Sequence, residues 1–449
     1  MANAGDRVKV ECTDEVLEGI VVPAESTTAL VLKLDSGYNL GIDRKRIKKI
    51  TVLKAAAAQK PTGKIPAPVK GKPTIAILHT GGTIASKVDY TSGGVIAGFE
   101  PEDFLEMFPA VGKIANIVTA KVTNIMSEDM RFSYHQQIAQ AIAQQVKAGV
   151  DGIIIGHGTD TLAVTAAALA FMFESIPIPV LLVGAQRSTD RPSTDAALNL
   201  LCAVQFIVKS DFAGIAICMH ASASDDACSI LPPCKTRKVH TTRRDAFKAV
   251  NAKPIATVAA EGKVTFHTEY PKRGKGVAMA LPKMEEKVAV VRTYINMGPE
   301  LIEALTAKKF KGIILEATGL GQAPTNIAEN IPNYEALKKF IAQGGIVGLT
   351  SQCIWGRVHP DVYTNCRRLS DIGVVFCEDM LTDTAYVKLA WLLENKPMQA
   401  KELLAKNLRG EISERTEYDD VVPESLAGYL GKQSREQIMK DLRDKHDRF

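Results

Sequence analysis

Short apolar runs bounded by turn residues set the rhythm of this chain. Between residues 6 and 53, polar and apolar positions alternate in five bursts, at 7–12, 18–22, 29–34, 38–42 and 47–52, with turns such as Asp35-Ser36-Gly37 between them. Strands this short and this closely spaced predict a small β-barrel of the SH3 type. The alternation then stops, and residues 55–72, rich in Ala, Pro, Gly and Lys, read as an extended linker.

From Pro73 the runs become almost wholly apolar, as in Ile75-Ala76-Ile77-Leu78, which is the pattern of a strand buried on both faces of a parallel sheet. Strands are expected at 114–123, 150–155, 179–183 and 215–219, separated by helical periodicity over 132–148, 162–173 and 195–208. Residues 221–252 look irregular and polar, and 253–286 look like a connector with room for a hairpin. A second strand–helix series follows: strands at 288–294, 312–316 and 346–350, and helices at 299–305, up to 342, and over 384–393. Strand–helix alternation of this kind predicts an α/β fold with parallel sheets flanked by helices. The expected division is a barrel at 1–54, a linker at 55–72, a large α/β domain at 73–252, a connector at 253–286, a small α/β domain at 287–396 and a charged helical tail at 397–449.

Composition narrows the class without naming a chemistry. The chain has 449 residues, 46% apolar and 23% charged, which suits a globular protein of several domains. It has no apolar run near the roughly 20 residues that cross a bilayer, so no membrane partner is expected. Met1-Ala2-Asn3-Ala4-Gly5-Asp6 lacks a basic start and an apolar core, so the expected location is cytoplasmic. Eight scattered cysteines read as reduced, buried thiols, and the spacing of Cys228, Cys234, His220 and His240 matches no common zinc pattern. Net charge is +5, and the basic strip Arg44-Lys45-Arg46-Ile47-Lys48-Lys49 reads as an edge strand protected by charge in preference to a nucleic-acid contact.

The chemistry gathers where strands end. Parallel strands deliver their following loops to one edge of the sheet, which is where ligands bind in open α/β folds. Four such loops carry Thr83; Ser127 with Glu128; Thr159 with Asp160; and Gln186 with Arg187. Two hydroxyls, a carboxylate beside one of them and no metal cluster suggest covalent acyl transfer. Lys238 is the best candidate for the cation that activates a hydroxyl, held by Asp160 and acting on Thr159 or its bound water. Backbone N–H groups at the glycine turns would stabilise an oxyanion. Each residue has a plainer alternative: Asp160 as a helix cap, Ser127 and Glu128 as a helix start, and Lys238 as one more surface cation beside Lys235, Arg237, Arg243 and Arg244.

Two motifs resemble the paired signatures of the L-asparaginase family: Thr80-Gly81-Gly82-Thr83-Ile84-Ala85-Ser86 and His157-Gly158-Thr159-Asp160-Thr161-Leu162, in the family's order and each after a strand. The resemblance covers about residues 73–395 and takes in Val183-Gly184-Ala185-Gln186-Arg187 and Ser193-Thr194-Asp195. It implies a two-domain asparaginase-like core, with Thr83 as nucleophile and Tyr90 assisting it from a flap. It further implies Thr159, Asp160 and Lys238 as a second catalytic group, and Ser127, Glu128, Gly82 and Gly158 in substrate binding. A barrel in front of such a core resembles the D-type family of archaeal Glu-tRNA(Gln) amidotransferase subunits. That resemblance implies ammonia release from glutamine or asparagine and a homodimer, within a heterotetramer. It implies an E-type kinase and transferase as partner, through which tRNA is mainly bound. No cofactor is implied for this chain, with ATP and Mg expected on the partner. The free-standing asparaginase remains the alternative, and a non-catalytic binding module the third. The chain departs from the family around Asp361 to Asp371, where no equivalent of the acidic residue supplied by a neighbouring copy is found.

Overall fold

The computed structural model describes residues 2–3, 5–22, 28–34, 39–55, 69–81, 86–88, 95–97, 108–187 and 194–416. Gly82, Thr83 and Tyr90, most of the expected linker and the charged end of the tail lie outside the described residues. The chain divides into two compact units, residues 1–249 with 253–286, and 250–252 with 287–449.

At the start of the first unit, strands β1 (Arg7–Cys12), β2 (Val16–Val22), β3 (Ala29–Lys33), β4 (Asn39–Asp43) and β5 (Ile47–Lys54) form an antiparallel sheet in the order β4-β3-β2-β1-β5. Alternation does the work expected of it. In β1, Val8, Val10 and Cys12 turn inward onto Val21, Leu30, Leu32 and Ile42, while Arg7, Lys9 and Glu11 turn outward. The sequence expectation of five strands is met; the ladder is that of an antiparallel sheet, and β4 and β5 are its two edges.

The main sheet of this unit is built from β6 (Thr74–His79), β9 (Asn116–Lys121), β10 (Gly152–Gly156), β12 (Pro179–Val183) and β13 (Gly214–His220), all parallel to their neighbours. Two short pairs stand apart from it: β7 (Ser86–Val88) with β8 (Val95–Ala97), and β11 (Phe173–Ser175) with β19 (Met279–Ala280). Apolar runs become central strands because each residue side is covered. Ile75, Ile77, Ile154 and Leu181 pack with Leu200, Ala203, Val204 and Ile207 of the helix Ala196–Lys209, and helices Phe132–Ala148 and Leu162–Met172 also pack on this sheet.

The irregular reading of 221–252 needs correction. That stretch supplies β14 (Ala227–Leu231), antiparallel to β13, and a separate hairpin of β15 (Thr236–Lys238) with β16 (Phe247–Ala249). Residues 253–286 add β17 (Ala256–Ala259) and β18 (Val264–Phe266), which complete the eight-stranded order β18-β17-β14-β13-β12-β10-β6-β9. Strands of three to five residues, such as Thr236-Arg237-Lys238 and Phe247-Lys248-Ala249, carry too little periodicity to stand out from a loop.

The second unit has a parallel sheet in the order β20 (Val288–Arg292), β21 (Gly312–Ala317), β22 (Ile346–Ser351), β23 (Val375–Phe376). Helices Glu300–Ala307, Ile331–Ala342, Thr364–Asp371 and Thr382–Asn395 accompany it. Residues beyond 396 belong to this packing as well: Ala400 and Leu404 of the helix Ala400–Leu404 are buried, and Glu411 is buried against Lys388 at 2.6 Å. Among the described residues no helix is long and apolar enough to cross a membrane.

Candidate active site

Register brings the loops of the main sheet together. His79 lies opposite Gly156, Gly156 opposite Val183, and Val183 opposite Cys218, so β6, β10 and β12 run out at one level and β13 runs two residues further, to His220. The chain after each strand therefore starts at one edge of the sheet.

The loop after β6 is pinned at its first residue. Thr80 donates from both its N–H and its hydroxyl to the Gly156 carbonyl, at 3.1 and 2.9 Å. Its own carbonyl accepts from Ile125 N–H at 3.1 Å and from the Thr123 hydroxyl at 2.7 Å. Thr80 is thus committed to holding the turn. Gly81 follows with φ +111°, and a Cβ there would collide with the Ile125 carbonyl, so both conformation and space require glycine. This docks the opening of the Gly81-Gly82-Thr83 segment onto the loop that carries Ser127.

Ser127 is buried at the start of a short 3-10 turn, Ser127–Asp129, and Glu128 is exposed on the same turn. The turn is fastened to the loop after β10: Thr161 donates its hydroxyl to the Ser127 carbonyl at 2.7 Å. Gly158 lies so close that a Cβ on it would stand 2.7 Å from both Cβ and Oγ of Ser127. The glycine between His157 and Thr159 is therefore a contact surface for Ser127.

Lys238 meets Thr159 and Asp160. Its ammonium donates to Thr159 Oγ1 at 2.9 Å and to Asp160 Oδ1 at 2.7 Å. The lysine side chain is 15% exposed and the aspartate 64%. Lys238 ends β15, where it pairs with Phe247, a fully buried ring, so the hairpin fixes the root of the side chain. The surface-cation alternative for Lys238 does not describe this geometry. The helix-cap alternative fails for Asp160 too, because Thr161 occupies the cap position before Leu162 and the carboxylate serves Lys238. An amine held between a hydroxyl and a carboxylate can pass a proton to or from the hydroxyl while its charge stays compensated.

The far side of Thr159 is closed by the loop after β12. Gly184 has no room for a Cβ, which would stand 2.9 Å from Thr159 Cγ2. Gln186 Oε1 accepts from the Thr159 hydroxyl at 3.5 Å. The backbone of this loop is held by Asp195, whose buried carboxylate accepts from Gln186 N–H and Arg187 N–H, both at 3.0 Å, and from Asn199 Nδ2 at 3.1 Å. Asn199 in turn accepts from His220 Nδ1 at 2.6 Å, and His220 Nε2 meets Asp225 at 3.0 Å. That hydrogen bond, with Arg244 behind it, lowers the Asp225 carboxyl below its ordinary range.

Beneath the site lies a row of buried groups. His157 Nδ1 donates to the Gly158 carbonyl at 2.7 Å, so its Nε2 accepts from the Thr165 hydroxyl at 2.9 Å, and His135 Nε2 donates to Thr165 at 3.1 Å. Burial lowers His157 to about 4 and His135 to about 3, so both rings are neutral in the resting protein. Local sequence signalled none of Asp195, Asn199, His220 and His157 as site residues. Their partners sit on neighbouring loops and helices, and the clues were the motifs that resemble the asparaginase family, which include His157 and Asp195.

Among the described residues no group of three or more His, Cys, Asp or Glu side chains is placed to hold a metal ion. His220 is engaged by Asn199 and Asp225, and His240 Nδ1 accepts from the N–H groups of Thr242 and Arg243.

Comparison with known proteins agrees with this architecture. Residues 74–272 match the family model for the asparaginase N-terminal domain, residues 287–404 that for the glutaminase/asparaginase C-terminal domain, and residues 2–53 that for the GatD N-terminal domain. Among solved structures, the thermostable L-asparaginase from Thermococcus kodakarensis is similar over 76% of this chain and 100% of its own, with TM-score 0.68 and 30% identity. L-asparaginase I from Vibrio cholerae is similar over the same shares, with TM-score 0.66 and 27% identity. An asparaginase-type core is thus established, with an added amino-terminal domain. Along most of its length the chain is 45% identical to GatD, the D-type glutamyl-tRNA(Gln) amidotransferase subunit, of Pyrococcus furiosus, covering 91% of this chain and 94% of that one. It is 38% identical to the corresponding protein of Methanothermobacter thermautotrophicus, covering 92% and 95%. The chain belongs to the GatD family of glutamyl-tRNA(Gln) amidotransferase subunits.

Proposed function

We propose that this chain releases ammonia from the side-chain amide of glutamine or asparagine, and that a partner protein uses it to convert Glu-tRNA(Gln) to Gln-tRNA(Gln). Thr83 attacks the amide carbon, the C–N bond breaks, and ammonia leaves with the proton that the nucleophile gave up. Water then cleaves the resulting ester and restores the Thr83 hydroxyl. Tyr90 assists Thr83, and Thr159, Asp160 and Lys238 move the protons. Ser127 and Glu128 hold the substrate's α-carboxylate and α-amino groups, since a hydroxyl donor suits the first and a carboxylate suits the second.

The observation that carries this reading is the Lys238 amine shared between Thr159 and Asp160 at 2.9 and 2.7 Å. The similarity to GatD proteins along nearly the whole chain supports the coupling to tRNA. By this reading the chain is a homodimer within a heterotetramer and carries no cofactor. An E-type kinase and transferase partner binds ATP and Mg, phosphorylates the glutamyl group and holds most of the tRNA. The match of two L-asparaginases along their whole length favours a second reading, a free-standing asparaginase with an accessory domain.

The two readings separate in one assay. Ammonia release from glutamine and asparagine is measured for the purified chain alone, with the partner, and with partner plus Glu-tRNA(Gln). The proposal expects release to rise when partner and tRNA are added. High release from the chain alone, indifferent to both, would support the second reading.

A further inference from the structure

We propose that Gln186 is the residue that reads the scissile carboxamide of the substrate; this rests on the amidohydrolase reading above. Three features of its setting point the same way.

First, its place is fixed independently of its side chain. The Gln186 N–H is bound by Asp195 Oδ2 at 3.0 Å, the next N–H by Asp195 Oδ1 at 3.0 Å, and Asp195 is fully buried and further held by Asn199. The amide group therefore projects from a rigid root. Second, it projects to the Thr159 hydroxyl. Its Oε1 is 3.5 Å from Thr159 Oγ1, on which Lys238 Nζ already stands at 2.9 Å. Because the ammonium donates to Thr159, the hydroxyl's own proton is left for Gln186 Oε1, and 3.5 Å is the slack end of a hydrogen bond. Third, Gln186 Nε2 is enclosed and has no hydrogen-bond partner among the described residues. A buried amide donor without an acceptor is costly to the folded protein, so its retention next to Thr159 calls for a ligand acceptor.

One open donor and one loosely used acceptor on a planar amide are the complement of another primary amide. Nε2–H donates to the substrate's carbonyl oxygen, and the substrate's N–H donates to Oε1, giving two parallel bonds. The carboxylate product offers only acceptors, so it satisfies Nε2 but faces Oε1 with a repulsive lone pair. An ester of the same acid offers the carbonyl acceptor and no donor. The pair thus distinguishes amide from ester and weakens product retention. A site that hydrogen-bonds a polar group rejects the analogue lacking it far more strongly than an apolar pocket does.

The test compares glutamine with the γ-methyl ester of glutamate, which share the acyl part. The full chain is assayed with its partner and Glu-tRNA(Gln), as wild type, Gln186→Met and Gln186→Glu. We expect Gln186→Met, which removes donor and acceptor together, to lower kcat/KM about a hundredfold for glutamine and about tenfold for the ester, which used only the donor. The amide-to-ester preference then falls by about tenfold or more. Gln186→Glu keeps an acceptor and loses the donor, so it should weaken both substrates and relieve inhibition by glutamate. Equal losses on amide and ester in both variants would make Gln186 a packing residue and overturn the proposal, as would an unchanged preference. A wild type that releases ammonia from neither glutamine nor asparagine would sink the amidohydrolase reading itself, and this inference with it.

Discussion

Lys238 Nζ stands 2.9 Å from Thr159 Oγ1, although 79 residues separate them in sequence. The contact depends on two local devices, the strand end that presents Thr159 and the hairpin that presents Lys238. Replacing Lys238 by Ala should lower kcat by about 10²–10⁴-fold, the usual span for a lost proton-transfer group. Lys238→Arg should be nearly as poor, because a guanidinium does not give up its proton. Steady-state kinetics and the thermal midpoint check both, and a midpoint within a few degrees of wild type is expected. An active Lys238→Ala would show that another group moves the proton.

Gly158→Ala tests how closely two loops must approach. The new Cβ would stand 2.7 Å from Ser127 Cβ and Oγ, so the Ser127 turn must move. If Ser127 holds the substrate's α-carboxylate as proposed, KM should rise about tenfold with a smaller change in kcat. A loss confined to kcat would place Ser127 nearer the chemistry than its assigned role.

The buried histidines give the fold a pH dependence with a definite sign. His79 and His157 are lowered to about 4 and His135 to about 3, each chiefly by burial. An unfolded chain binds these protons from about pH 6.5 downward, whereas the folded chain does not. Stability is therefore full above pH 6.5 and is lost as pH falls toward 4, with His157 alone worth about 3 kcal/mol at the low end. Thermal unfolding followed from pH 7.5 to 4 should show a steep decline, and His135→Phe should flatten it. A flat wild-type curve would contradict the neutral, buried assignment.

Lys388 and Glu411 form an ion pair at 2.6 Å with both side chains fully buried. Lys388 also donates to the Leu404 carbonyl at 3.0 Å, while Glu411 accepts from the N–H groups of Leu408 and Arg409 at 2.9 and 2.6 Å. Lys388→Met leaves Glu411 buried and unpaired, and should cost about 3–5 kcal/mol. Lys388→Met with Glu411→Leu should recover much of that loss, because the uncompensated charge is gone. Denaturant unfolding measures both variants. If the single change proved neutral, residues 405–416 would not be packed into the second unit as described.

How much of this was readable in the chain varies by element. The helix Phe132–Ala148 and the strand Pro179–Val183 appear where periodicity places them, since one has a clear 3.6-residue repeat and the other is apolar on both sides. Convergence of the loops at Thr80, Val122, His157 and Gly184 was also legible, because parallel strands impose it. Lys238 is the site residue least marked by its local sequence. It sits among Lys235, Arg237, Arg243 and Arg244, and what singles it out is the pairing of Lys238 with Phe247, in a stretch too short and polar to read as a hairpin. The support beneath the site was invisible for a different reason. Asp195 serves N–H groups eight and nine residues earlier, and His157 reaches His135 through Thr165, so no local pattern encodes either role.

The central claim is that the amide is cleaved through an ester on Thr83 while Thr159, Asp160 and Lys238 handle protons. Rapid quenching of the chain during turnover of glutamine with partner and Glu-tRNA(Gln), followed by peptide mass spectrometry, tests it most directly. A γ-glutamyl adduct on the peptide bearing Thr83 is predicted, absent from Thr83→Val and strongly reduced in Lys238→Ala. An adduct on Thr159, or turnover by Thr83→Val at the wild-type rate, would contradict the account.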